Sequence, residues 1–122
     1  MKKDNSIIIG SGVIGSYLAK FLLSKKQKVI VTSRKKRKSY TNYNKLDVEN
    51  KVIFEVLDVL KKNEILKILK KYTPKNIFYF SGQSSLTKSI NLKKITNDSN
   101  YIGAKKILEI LHKYKLKTNF YK

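Results

Sequence analysis

The chain contains no cysteine, which excludes a disulfide framework and a thiolate metal centre. Its single histidine, His112, leaves a zinc site short of ligands, and no metal site is expected. Long apolar runs are missing as well. Stretches such as Ile7-Ile8-Ile9 and Ile77-Phe78-Tyr79-Phe80 fall far short of the roughly 20 residues that a membrane-spanning helix needs. Met1 to Ser6 is basic, but no apolar signal core follows it, so a cytoplasmic protein with no membrane partner is expected. Acid is scarce too: 8 Asp and Glu stand against 28 Lys and Arg, for a net charge of +20. Such an excess first suggests nucleic acid or an anionic surface. Most of the lysines, however, fall between apolar positions, as in Lys61-Lys62, Lys70-Lys71 and Lys105-Lys106, the pattern of solvated faces. Only Arg34-Lys35-Lys36-Arg37-Lys38 is a dense local cluster.

What remains is enough for one domain. Of 122 residues, 41% are hydrophobic, which supports a modest core. Ser6 to Gly10 is a β-branched run ending in glycine, which predicts a buried strand. Tyr17, Leu18, Phe21 and Leu22 then recur at helical spacing, with Lys20, Lys25 and Lys26 assigned to the opposite face. Strands are predicted at Lys28–Thr32, Val52–Val56 and Asn76–Phe80, and helices at Asn63–Tyr72 and Ile102–Tyr114. Pro74 stops the first of those helices. On the second, Ile107, Leu108, Ile110 and Leu111 are expected to face the core. A fifth strand is expected from Leu116 to Tyr121, and residues 33–50 read as loop. The order β-α-β-β-α-β-α-β predicts an α/β fold: a Rossmann-like parallel sheet with helices on both faces, in one NAD(P)-binding domain spanning residues 1–122. The chain is read as truncated in the fifth strand, an N-terminal fragment with no substrate domain. An exposed fifth strand would favour self-association, so a homo-oligomer is a candidate state.

The chemistry concentrates where strands end. Gly10-Ser11-Gly12-Val13-Ile14-Gly15 follows a predicted strand and opens a predicted helix. In that context the first glycine permits a tight turn, the second lets backbone approach a pyrophosphate, and the third lets helix pack closely on strand. Free N–H groups at the helix start, with the helix dipole, then attract the anion. An NAD-type site carries a carboxylate at the end of the second strand. Here that corner reads Thr32-Ser33-Arg34-Lys35. A serine hydroxyl and a guanidinium there, from Ser33 and Arg34, suit a 2′-phosphate, so NADP is expected and NAD is the second choice. Asp58, after the third strand, can accept from an adenine amino group or cap the helix that follows. After the fourth strand, Ser81-Gly82 lets backbone pass close to a ribose, and Gln83 and Ser84 offer neutral donors and acceptors.

These motifs carry a family resemblance. "GSYLAKFLL" (15–23), "IFYFSGQSS" (77–85) and Asn100-x-x-Gly103 running into Ile107-Leu108-Glu109 resemble the extended short-chain dehydrogenase/reductase family of nucleotide-sugar epimerases and dehydratases, most closely its GDP-mannose 4,6-dehydratase branch. The resemblance covers nearly the whole chain. It implies that Gly12 to Gly15 hold the pyrophosphate and Arg34 the adenosine phosphate. It also implies that Asp58 and Val59 flank adenine, and that Phe80, Ser81, Gly82, Gln83 and Ser84 line the nicotinamide side. The sequence departs from the family pattern in three places. The family glycine loop places its first glycine where Ile9 stands, and family histidine and tyrosine positions are Ser85 and Ile95 here.

In that family a Ser or Thr after strand five and a Tyr-x-x-x-Lys on the following helix do the proton chemistry. Neither occurs after strand five within these 122 residues. Tyr101-Ile102-Gly103-Ala104-Lys105 has the same spacing but lies before strand five and is read as non-catalytic. No catalytic residue is therefore assigned. The expected partner is the dinucleotide, with a nucleotide sugar only in the intact family enzyme and nucleic acid disfavoured. Two alternatives remain open: a non-enzymatic basic module binding anions or nucleic acid, and a small Rossmann regulator sensing a redox cofactor.

Overall fold

A computed structural model describes residues 4–36, 39–80 and 102–122. Five strands alternate with helices: β1 (Asn5–Ile9), α1 (Val13–Ser24), β2 (Lys28–Ser33), α2 (Thr41–Lys45), β3 (Ile53–Val56), α3 (Lys62–Tyr72), β4 (Asn76–Tyr79), α4 (Gly103–Lys113) and β5 (Asn119–Tyr121). A 3₁₀ turn, Glu49–Lys51, precedes β3. All strand pairs are parallel, in the order β3-β2-β1-β4-β5. The strand order reverses at β1, whose Ile7 sits level with Ile30 on one side and Ile77 on the other.

The β-branched run of β1 is buried on both faces. Ile7 and Ile9 join a core with Ile65, Ile68 and Leu69 of α3 and Ile107, Ile110 and Leu111 of α4. Ile8 points the other way, to a core with Ala19 and Leu22 of α1, Tyr43 of α2, and Val29, Val31 and Val52. Helices therefore cover both faces, as the unalternating strands predicted. α3 ends at Thr73 in the left-handed region (φ 39°), immediately before Pro74. At the start of α4, a side chain on Gly103 would meet Val59 Cγ2 at 2.6 Å and the Tyr79 hydroxyl. The glycine of the Asn-x-x-Gly pattern thus admits α4 against the sheet.

Three expectations need correction. Residues 33–50 are not all loop: they hold α2 and the 3₁₀ turn, anchored by buried Tyr40, Tyr43 and Val48. Tyr40 stacks on Phe54 at 3.8 Å between centroids, and Tyr43 meets the same ring edge-on at 5.3 Å. On α1, Tyr17 and Phe21 lie outward rather than in the core, while Gly15, Ser16, Ala19 and Leu22 are buried. Small residues on the inner stripe bring the helix axis close to the strands, so the aromatic residues fall on the solvent side with Lys20. Leu108 on α4 is likewise exposed, because the sheet meets the stripe of Ala104, Ile107, Ile110 and Leu111. Among the described residues no helix is long and apolar enough to cross a membrane.

Candidate functional site

The glycine loop lies at the carboxyl end of the central strand. Gly10 has φ +115°, a conformation open to glycine and strained for other residues. Its N–H donates to the Thr32 carbonyl at 3.0 Å, and a Cβ built on it would lie 3.0 Å from the Phe80 carbonyl oxygen. Gly10 therefore ties the ends of β1, β2 and β4 together. Gly12 is the N-cap of α1, extended at φ −79° and ψ −173°, and no side chain among the described residues caps the helix. Ser16 N–H returns to the Gly12 carbonyl at 3.1 Å, leaving the earlier N–H groups of the turn without intrahelical acceptors. A Cβ on Gly12 would meet nothing within 4 Å among the described residues, so that side of the loop is open to them. Gly15 is the packing glycine: its Cβ would sit 3.1 Å from Ile8 Cγ2 and 3.2 Å from both the Gly10 carbonyl and the Tyr43 hydroxyl. Ser11 is half-buried, and Val13 and Ile14 are exposed at the rim of the loop.

Beside the loop a cleft of about 50 Å³ brings together Gly10, Thr32, Arg34, Asp58 and Val59. Thr32 is buried, and its hydroxyl has no hydrogen-bond partner among the described residues. Arg34 is exposed and forms no ion pair among the described residues. Asp58 Oδ1 accepts from the Leu60 N–H at 3.0 Å, and the Asp58 N–H donates to Glu64 Oε1 at 3.2 Å. The N-cap of α3 is Lys61, so Asp58 braces the turn ahead of the helix rather than capping it. The expectation that Ser33 offers its hydroxyl to a ligand is also corrected. Ser33 is buried and donates to the Lys35 carbonyl at 2.8 Å, with the Tyr40 hydroxyl 3.2 Å away.

The fourth corner is Phe80, partly exposed, whose N–H donates to the Ile9 carbonyl at 2.8 Å. Ser81, Gly82, Gln83, Ser84 and Tyr101 lie outside the described residues. Lys105, the other half of the Tyr-x-x-x-Lys spacing, is exposed on α4 and lies 4.0 Å from Glu109. Thr32 and Tyr43 escaped the sequence reading. The one signal for Tyr43 was its spacing of three from Tyr40, which is helical. Burial holds the Tyr43 hydroxyl well above its ordinary pKa, so it stays protonated.

A parallel sheet that reverses at its central strand, with a glycine turn opening a helix at that point, places the chain in the Rossmann class of doubly wound folds. A model of the family GDP-mannose 4,6 dehydratase matches residues 7–122, and the chain belongs to that family. The curated CDP-paratose 2-epimerase of Salmonella typhi is 32% identical over 111 residues, covering 90% of this chain and 33% of that protein. A dTDP-glucose 4,6-dehydratase of Haemophilus influenzae is 27% identical over 107 residues, 86% of this chain and 32% of its own length. The chain thus spans about a third of the length of the curated relatives it matches. Among solved structures, L-threonine dehydrogenase from Clostridium difficile superposes with a TM-score of 0.78 at 29% identity, over 98% of this chain and 36% of that one. UDP-glucose 4-epimerase from Brucella ovis, solved in complex with NAD, also gives 0.78, at 19% identity, over 96% and 34%. At that identity the second likeness speaks for the fold alone.

Proposed function

We propose that this chain binds NADP(H) along the carboxyl edge of its sheet and forms the cofactor-holding part of a nucleotide-sugar dehydratase or epimerase of its family. One observation carries the cofactor choice. The cleft at the end of β2 contains no carboxylate from that strand and is bordered instead by Arg34, a guanidinium without an ion-pair partner among the described residues. A diphosphate suits the uncapped start of α1, and the open side of Gly12 leaves its approach clear. The orphaned hydroxyl of Thr32 in the neighbouring cleft is a polar group that an adenosine moiety could satisfy.

Each residue then has a role. Gly10 fixes the turn, and Ser11, Gly12, Val13, Ile14 and Gly15 present backbone to the diphosphate. Arg34 grips the 2′-phosphate. The second carboxylate oxygen of Asp58, not used by Leu60, accepts from the adenine amino group, and Val59 packs beside the base. Phe80 to Ser84 form the nicotinamide side. When bound, the nicotinamide supplies a hydride acceptor and donor; the chain's own part is to bind and orient it. A nucleotide sugar is a substrate only of the intact family enzyme, and β5, an edge strand among the described residues, is the proposed route to a homo-oligomer.

The test is titration of the chain with NADP(H) and NAD(H). NADP(H) should bind at least a few-fold more tightly, and Arg34→Ala should remove the difference, since a charge-assisted hydrogen bond contributes roughly 1.5–3 kcal/mol. Equal affinities in the parent would overturn the cofactor choice.

A further inference from the structure

The residues that hold Arg34 in place are as distinctive as Arg34 itself. β2 ends at Ser33, whose carbonyl accepts from the Leu57 N–H at 2.9 Å. The chain then bends at Arg34 and Lys35. The Ser33 hydroxyl reaches forward over that bend to the Lys35 carbonyl at 2.8 Å. A serine hydroxyl has one proton, and this contact uses it. The Tyr40 hydroxyl, 3.2 Å from Ser33 Oγ, must therefore be the donor in the second contact. The result is a directed relay: Tyr40 O–H to Ser33 Oγ, and Ser33 O–H to the Lys35 carbonyl.

The relay has a rigid origin. Tyr40 is buried, stacked at 3.8 Å and 4° on Phe54 of β3, and its carbonyl accepts from the N–H groups of Tyr43 and Asn44 at 3.0 and 2.9 Å. Its hydroxyl is thus fixed by the sheet on one side and by the start of α2 on the other. Ordinary helix or strand packing does not call for this arrangement. A phenylalanine would stack on Phe54 equally well, and an alanine would end β2. Both hydroxyls act on the short bend that displays the guanidinium.

We infer that Tyr40 and Ser33 are positioning residues for phosphate recognition: they lock the Arg34-Lys35 bend so that Arg34 is pre-aimed at the 2′-phosphate of the cofactor. This rests on the NADP(H) reading above. Pre-organisation raises affinity by removing the ordering cost of binding, and it does so only for the ligand that uses Arg34. NAD(H), which has no 2′-phosphate, gains nothing from the relay.

The experiment measures dissociation constants for NADP and NAD with the parent chain, Tyr40→Phe, Ser33→Ala and the double variant, alongside their thermal unfolding. Tyr40→Phe keeps the ring stack and removes only the hydroxyl. The expected result is an NADP affinity lower by roughly three- to ten-fold in either single variant, the loss associated with one net hydrogen bond. NAD affinity should stay within about two-fold. The double variant should lose no more than the worse single one, because both substitutions break the same relay. A loss shared equally by NADP and NAD would make the relay merely structural and overturn the inference, as would retention of the parent's NADP preference in both single variants. Should Tyr40→Phe alone fail to fold, the NADP-to-NAD ratio of Ser33→Ala decides in the same way. A parent with no preference at all would overturn the 2′-phosphate reading before any variant is measured, so the two failures are told apart.

Discussion

Substituting Gly10 by alanine separates the structural glycine of the loop from the one that faces a ligand. At φ +115° an L-residue occupies a region that costs of order 1–3 kcal/mol. The new Cβ would also lie 3.0 Å from the Phe80 carbonyl oxygen and 3.1 Å from its carbon. That carbonyl cannot easily retreat, because the same residue's N–H is tied to Ile9 at 2.8 Å while Gly10 itself is tied to Thr32 at 3.0 Å. Overpacking of this kind adds about 1–3 kcal/mol. The sum, roughly 2–6 kcal/mol, is a large share of the roughly 5–15 kcal/mol that holds an ordinary domain together. A domain of this size loses about 3–6 °C per kcal/mol, so Gly10→Ala should lower the melting temperature by roughly 6 °C or more, read by far-ultraviolet circular dichroism. Gly12 has an ordinary φ of −79° and, among the described residues, nothing within 4 Å of a Cβ built on it. Gly12→Val should therefore leave the fold standing while severely weakening dinucleotide binding. The reasoning is refuted if Gly10→Ala melts within about 2 °C of the parent, a shift worth well under 1 kcal/mol. A Gly12→Val chain that binds like the parent would reduce the loop to a simple turn.

Two further outcomes can be checked on the same chain. Glu55 on β3 accepts from the Tyr72 hydroxyl and, at 2.9 Å, from Lys71 Nζ, and these contacts hold its pKa below the ordinary glutamate value. A depressed carboxyl pKa contributes stability that is present above the unfolded value of about 4.3 and is lost as pH falls through the folded one. Glu55→Gln should thus flatten the acid limb of a stability-against-pH curve, and an unchanged acid limb would dismiss the pair. Incubated with NADP and GDP-mannose, residues 1–122 should give no 4-keto-6-deoxy product, since Lys105 sits exposed beside Glu109 on α4 and no other Tyr-x-x-x-Lys is in place. Product that vanishes in Tyr101→Phe would make that pair catalytic after all.

What the sequence determined by itself was the order of elements and the site's backbone. The runs Ile7-Ile8-Ile9 and Val29-Ile30-Val31 are β-branched and unalternating, and only a strand covered on both faces accommodates them. Three glycines at fixed spacing after the first run place the loop without reference to any other part of the chain. The missing carboxylate after β2 was equally plain, because a residue type is read directly. Tertiary structure decided everything that depends on which neighbour a side chain meets. Five-residue α2 is too short to persist on helix propensity; Tyr40 and Tyr43 hold it through the ring of Phe54, eleven or more positions away along the chain. The inner stripe of α1 proved to be Gly15, Ser16, Ala19 and Leu22 rather than its aromatic residues, since periodicity shows that a helix has an apolar side but not how near the sheet stands. Ser33 was visible as a polar residue at a strand end. That its hydroxyl points into a relay with Tyr40, and that Thr32 beside it is left with a buried hydroxyl and no partner among the described residues, follows only from packing, because a hydrogen bond depends on where its partner stands in space.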